Sequence, residues 1–322
     1  MASFSATTSI NVTTENPLAG LAQLSLATYT ALPDGFRITL ADSRSLDLFG
    51  SFTATAGLPS AGTITALRIN AAGTPVRILS GLNLALPAAQ ALAAGPAATA
   101  WAALLAGADT ITGSAFADVV AGFAGKDTID GGAGIDTASF AEVTGAVAVT
   151  LNGAADAVVT IQGIVQDTLR NIENIIGGTG NDIVTGDTLA NVLSGGAGID
   201  TLTGGGGADT LTGGVGVDRF LFTAAALGPA AAQSTTITDF DRVAGEVLNL
   251  AAIDANTILA GTNPFAFIGA AAFSGTAGQL RFTSLPGQTL IQGDVNGDST
   301  ADLTIVLSGV TSTVAADWFK LT

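Results

Sequence analysis

Histidine and cysteine are both absent from this 322-residue chain, and lysine occurs only at Lys126 and Lys320. Without histidine there is no HExxH zinc site, no Ser-His-Asp triad and no imidazole base. Without cysteine there is no thiol nucleophile, thiolate metal site or disulfide. Zinc, haem and copper are poorly served by what remains, whereas a hard cation held by oxygen is not excluded. Charged residues make up 11%, less than half the usual share, and they are lopsided: 10 Lys+Arg against 26 Asp+Glu, for a net charge of −16. A surface of that sign argues against nucleic acid and anionic lipid as partners. Aromatic residues are few beyond phenylalanine, with two Trp and one Tyr.

The 42 glycines, set among alanine, threonine and aspartate, are what the chain has in plenty. They are ordered with a period of nine. GGAGIDTAS begins at Gly131, GGTGNDIVT at Gly177, GGAGIDTLT at Gly195, GGGGADTLT at Gly204 and GGVGVDRFL at Gly213. Degenerate copies in the same register begin at Leu104, Gly113, Gly122 and Gly186. The sixth position reads Asp109, Asp118, Asp127, Asp136, Asp182, Asn191, Asp200, Asp209 and Asp218. The eighth is always apolar: Ile111, Val120, Ile129, Ala138, Val184, Leu193, Leu202, Leu211 and Phe220.

GGxGxD is a tight turn, because glycine accepts positive φ and close backbone approach. The three residues that follow read as a short strand with one inward apolar side chain. Two units make a coil of 18 residues, so turns 18 apart stack, with Asp200 between Asp182 and Asp218. A strand spacing of about 4.8 Å brings carboxylates together, which is unfavourable without a cation between them. Ca²⁺ suits such a stack, since it takes six to eight oxygens and the turns offer carbonyls beside the Asp. Mg²⁺ demands a stricter octahedron. About five to eight Ca²⁺ would offset roughly 10–16 negative charges.

These repeats resemble the repeats-in-toxin (RTX) family, whose nonapeptide GGxGxDxUx forms a calcium-binding parallel β-roll. The resemblance implies Ca²⁺ as cofactor and a ligand set drawn from Gly107, Asp109, Asp118, Gly125, Asp127, Gly131, Gly134, Asp136, Gly177, Gly180, Asp182, Gly195, Gly198, Asp200, Gly204, Asp209, Gly213, Gly216 and Asp218. Phe116 and Leu189 stand where the fourth glycine belongs, and Asn191 replaces an Asp, so those turns are expected to bind weakly or not at all. The last hundred residues, with ITDFDRVAGEVLNLAAIDANT, FAFIGAAAFSGTAGQLRF and LIQGDVNGDSTADLTIVLSG, resemble the C-terminal part of the non-catalytic half of serralysin metalloproteases. That resemblance implies a region that caps the roll and carries a type I secretion signal. It implies no protease activity here, because no zinc site can be carried over.

The fold class expected is all-β. Residues 1–103 would form a small β-domain, with turns at Asp34-Gly35, Gly62 and Ala72-Gly73, followed by two short helices near 87–94 and 96–106. Residues 104–222 would form the roll, interrupted by an irregular insert at 140–176, and 223–322 the cap. The uncharged run 82–107 is long enough to span a membrane but is cut by Pro87, Gly95 and Pro96, so it reads as packing helices and no membrane span. The first residues show no basic segment and no apolar run, so a Sec-type signal is not expected. Asp294, Asn296, Asp298 and Asp302 follow the start of an EF-hand loop without its closing Glu; a plain hairpin with an Asn-Gly turn is the competing reading.

Three functions stay open on the sequence. The first is a non-catalytic, extracellular or cell-surface protein that self-associates into a surface layer, sheath or matrix. The second is an adhesin or effector module for host or carbohydrate ligands. The third is an extracellular hydrolase or lyase using carboxylates or Ca²⁺. The lack of a catalytic set favours the first, with calcium ions, other copies of the chain and the type I secretion machinery as partners.

Overall fold

The computed structural model describes residues 3–6, 28–32, 35–39, 44–55, 58–71 and 74–85 as backbone strands, and residues 105, 107–228 and 233–322 in full. The helices expected near 87–94 and 96–106 fall almost wholly outside the described residues. The chain forms two compact units. One comprises Met1–Ala138, Ala154–Val158 and Val165–Ile172, the other Ser139–Gly153, Val159–Ile164 and Glu173–Thr322.

In the first unit an antiparallel meander runs through Thr28–Leu32, Gly35–Thr39, Arg44–Thr55, Leu58–Ala71 and Thr74–Ala85. Ala71 pairs with Thr74, on either side of the expected turn, whose two residues lie outside the described ones. Gly62 does not turn the chain. Thr55 pairs with Leu58, so the reversal comes earlier, and Gly62 lies inside a strand opposite Phe52. Ser3–Ala6 joins the meander to the repeats, antiparallel to Thr74–Ala85 on one side and parallel to Thr110–Thr112 on the other. From there every repeat pairing is parallel. Thr110–Thr112 lies beside Thr128–Asp130, which lies beside Ile164–Arg170, and in a second sheet Val119–Val120 lies beside Thr137–Ser139.

The second unit repeats the plan. One sheet carries Val147–Thr150, Ile183–Thr185, Thr201–Thr203, Arg219–Thr223, Val247–Ala252 and Phe319–Lys320, each parallel to the next. The other carries Asn174–Ile176, Val192–Ala197, Thr210–Val215, Thr235–Ile237 and Leu303–Ser308, also parallel. It then turns antiparallel through Gln288–Asp294 and Gln279–Leu285. The protein is thus an all-β parallel roll. Leu202 lies opposite Val184 and Phe220, and Leu193 opposite Leu211, so the 18-residue coil follows from the nine-residue period.

All nine eighth-position side chains are at most 1% exposed. Each buried Val, Leu, Ile or Phe contributes about 1.5–3 kcal/mol, and they line up because a strand of three residues has room for only one inward side chain. The insert continues the stack, with Val147–Thr150 and Asn174–Ile176 both joining sheets of the roll. The C-terminal region closes it with aromatic rings. Phe240 lies 6.1 Å from Phe220 and 5.6 Å from Trp318, and Phe267 lies 5.2 Å from Phe319.

Candidate metal centre

The sixth-position carboxylates form ladders inside the roll. In the second unit the Asp182 N–H donates to Asp200 Oδ1 at 2.7 Å, and the Asp200 N–H to Asp218 Oδ1 at 2.9 Å. In the first unit the Asp109 N–H donates to Asp127 Oδ1 and the Asp118 N–H to Asp136 Oδ1, both at 2.8 Å. A third set links the Asn191 N–H to Asp209 Oδ1 at 3.1 Å. Every one of these contacts spans 18 residues, as the period requires. Each carboxylate thereby gives one oxygen to the backbone of the preceding coil.

In Asp182 the second oxygen accepts from the Gly178 N–H at 2.7 Å, but in four other rungs it is buried without a donor. Asp127, Asp200, Asp209 and Asp218 are each at most 2% exposed, and their Oδ2 atoms have no hydrogen-bond partner. An unsatisfied buried charge is costly, so the group either takes up a proton or meets a cation. Burial pushes the Asp127 carboxyl up to about 7, with repulsion from Asp167 and Asp109 adding to it. Burial likewise lifts Asp200 to about 6, with Asp182 and Asp218 adding, and Asp209 to about 6, with Asp187 adding. Asp182 and Asp218 are raised for the same first reason.

The glycines explain how a carboxylate fits there. A Cβ on Gly195 would overlap Asp200 Oδ2 and lie 2.7 Å from the Gly213 carbonyl oxygen. The first glycine of the repeat is therefore the floor of the carboxylate slot. The fourth turns the chain: Gly198 sits at φ 137°, and a Cβ there would overlap the carbonyl oxygen of Gly180 in the coil below. First-position Gly131, Gly177, Gly204 and Gly213 crowd Asp136, Asp182, Asp209 and Asp218 in the same way, and fourth-position Gly107, Gly125, Gly134 and Gly216 also have positive φ. At Gly180, φ is not in that region, and a Cβ would meet the Gly145–Ala146 peptide instead.

The turn with Asn191 works differently. Its Oδ1 accepts from the Asp187 N–H at 2.9 Å, and its Nδ2 donates to the Glu173 carbonyl at 2.7 Å. Its Oδ1 lies over Gly186, in the slot that Oδ2 of an aspartate fills elsewhere, and its Nδ2 donates where the other rungs accept a backbone N–H. Phe116, in place of a fourth glycine, is 58% exposed.

Two buried carboxylates outside the repeats join these ladders, and the period alone did not reveal them. The Asp127 N–H donates to Asp167 Oδ1 at 2.9 Å, 40 residues away. Glu246, 2% exposed, follows Asp218 because Val247 pairs with Arg219. Burial lifts its carboxyl to about 7, with Asp218, Asp239 and Asp241 adding repulsion, while its Oε2 accepts from the Asp241 N–H at 2.8 Å. A signal was present for Asp167: Asp167-Thr168-Leu169 matches Asp127-Thr128-Ile129.

Asp294, Asn296, Asp298 and Asp302 are gathered in the loop between Gln288–Asp294 and Leu303–Ser308, which pair as an antiparallel hairpin. Their oxygens serve the loop itself. Asp294 accepts from the Gly297 and Ser299 N–H groups, Asn296 Oδ1 from Asp298, Asp298 from Thr300, and Asp302 from Val295.

Among the described residues no three carboxylates converge on one point. A cation in the ladders would draw on one or two carboxylates and on backbone carbonyls, which is oxygen chemistry suited to Ca²⁺. A model of the RTX calcium-binding nonapeptide repeat matches residues 105–138, 171–188 and 185–220, in four copies. These are RTX repeats. They bind calcium, and the orphaned carboxylate oxygens over their glycine floors fit that ion. Solved structures similar to this chain include the AlgE6R3 subunit of the Azotobacter vinelandii mannuronan C5-epimerase, 17% identical over 67% of this chain and 80% of that one, with a TM-score of 0.29. The AlgE6R2 subunit of the same epimerase is 24% identical over 42% of this chain and 89% of its own, with a TM-score of 0.23. The extracellular lipase LipA from Serratia marcescens is 17% identical, with a TM-score of 0.24; the match covers 67% of this chain and 38% of the lipase. No curated protein matches the chain.

A central rung has cation neighbours on both sides and a terminal one has a single neighbour. Asp200→Ala is therefore expected to lower bound Ca²⁺ by about two ions per chain and Asp109→Ala by about one. Equilibrium dialysis with elemental analysis reads the difference, and equal losses would break the register drawn above.

Proposed function

We propose that this RTX protein is secreted, non-catalytic and structural, and that it associates through Ca²⁺-folded rolls at the bacterial cell surface, in a surface layer, sheath or matrix. The observation that carries this reading is the buried ladder itself. Once ionised, its carboxylates need cations, and RTX repeats are typical of secreted proteins. Extracellular Ca²⁺ modules commonly bind at about 10⁻⁴–10⁻³ M, so such a chain stays loose in the cytosol and folds outside.

Apolar side chains on the turns support association. Ile199 and Val217 occupy the fifth position of stacked turns and are 44% and 39% exposed. Val215 is 75% exposed, and Val243, two residues before the Gly245 that lies against Val217, is 98% exposed. Non-catalytic status is supported by the lack of any histidine or cysteine, and export through a type I system by the serralysin-like tail.

Light scattering tests the reading. In millimolar Ca²⁺ the protein should form particles well above the monomer mass, reverting with chelator, and Val215→Asp with Val243→Asp should reduce them. A monomer that persists at high concentration in Ca²⁺ would move the balance to an adhesin or effector.

A further inference from the structure

Residues 140–176 interrupt the nonapeptide pattern, and the family match stops at 138 and resumes at 171. The strand Ile164–Arg170 nevertheless lies parallel to Thr128–Asp130, with Thr168 opposite Thr128 and Leu169 opposite Ile129. That register puts Asp167 on the rung after Asp127. The contact is the one seen within the repeats: a backbone N–H of one rung donates to Oδ1 of the next, here at 2.9 Å against 2.7–2.9 Å for the four Asp–Asp repeat pairs described above. Leu169 takes the place of an eighth-position residue and is fully buried.

Both carboxylates are out of water, Asp127 at 2% and Asp167 at 3% exposure. Asp127 Oδ2 has no hydrogen-bond partner and rests over Gly122, where a Cβ would overlap it. Among the described residues no basic side chain answers them. Arg170, on the same strand, is held on the surface by Asp156 at 2.5 Å, and Lys126 is exposed. Two buried anions on adjacent strands with one oxygen orphaned require a positive partner, and the described residues supply none.

We propose that Asp127 and Asp167 together hold a divalent cation, so that the insert contributes a calcium site the nonapeptide pattern does not encode. The proposal rests on the repeats binding calcium and is separate from surface assembly. Ca²⁺ is the ion because the donors are all oxygen and the neighbouring Gly-rich turn is supplied with carbonyls. The site makes the insert part of the calcium-folded body: the rung after the first repeat block is held by an ion as well as by the pairing of its strand.

The test separates a ligand from a mere hydrogen-bond acceptor. Asp167→Asn keeps an oxygen for the Asp127 N–H but removes the charge, and Asp167→Glu keeps the charge and shifts the acceptor. Asp156→Asn, on the surface of the same unit, is the control. Bound Ca²⁺ per folded full-length chain is measured by native mass spectrometry. Asp167→Asn should hold one ion fewer than the wild type, Asp167→Glu and Asp156→Asn the same number. A full ion count in Asp167→Asn overturns the proposal. If Asp167→Asn does not fold in millimolar Ca²⁺, recovery of calcium-dependent folding in Asp167→Glu supports the ligand role, and failure of both overturns it. A wild type that binds no calcium would instead remove the reading on which the proposal rests.

Discussion

In chelator at pH 7.5 the repeat region should be expanded, and millimolar Ca²⁺ should collapse it into strand. The reason is the sign of the buried groups. Eight repeat aspartates stand in the ladders of the roll, and four whose second oxygen is orphaned are nearly inaccessible to water. Removing a charge from water without a partner costs several kcal/mol. Against this each coil adds about one inward apolar side chain per strand, worth about 1.5–3 kcal/mol before chain entropy of about 1–2 kcal/mol per ordered residue is subtracted. The coil alone does not balance. Each ion at a hundred times its dissociation constant adds about 2.7 kcal/mol, and several such ions move the equilibrium decisively. Circular dichroism and hydrodynamic radius followed through a Ca²⁺ titration should change together and steeply. An unchanged spectrum between chelator and millimolar Ca²⁺ would defeat the account.

Much of this arrangement was legible in the residues, and the limits are instructive. The nine-residue period located all nine inward eighth-position side chains between Ile111 and Phe220, because one apolar position per three-residue strand leaves no alternative register. It also located the stacked carboxylates, because the coil is two periods long. Asp167 escaped because the spacing to Asp127 is 40 residues, not 18, so only the strand pairing shows that the insert returns to the same sheet. Glu246 escaped for a related reason. It sits 28 residues after Asp218, carries a different side chain, and lacks the glycine turn that announces the others. Gly62 misled in the opposite direction: a glycine inside a long antiparallel strand looks the same in sequence as one at a hairpin. The Asp294–Asp302 spacing marked a real clustering of oxygens, but whether an oxygen points at an ion or at its own loop's N–H groups is settled by backbone geometry and not by spacing.

Acid should substitute for calcium. The folded-state carboxyls of Asp127 and Glu246 are raised to about 7, and those of Asp200 and Asp209 to about 6, with burial the first cause in each case. In the unfolded chain the same groups titrate near 4. A carboxyl whose folded pKa lies above its unfolded value binds a proton on folding. Its contribution to stability is therefore fully present below the unfolded pKa and is lost as pH rises through the folded one. For Asp127 and Glu246 the loss amounts to about 3–4 kcal/mol each by pH 8, at about 1.4 kcal/mol per tenfold change in proton affinity. Without calcium the roll should thus be more compact at pH 5 than at pH 8, with the change centred between pH 6 and 7. With saturating Ca²⁺ the dependence should reverse, because protons then compete with the ion for the same oxygens. Tryptophan fluorescence offers a local probe, since Trp318 is 7% exposed and packs on Phe240 near the rung of Glu246. Opposite pH slopes in chelator and in calcium are the expected result. Parallel slopes would mean that the ladder carboxylates are not where protons and calcium exchange.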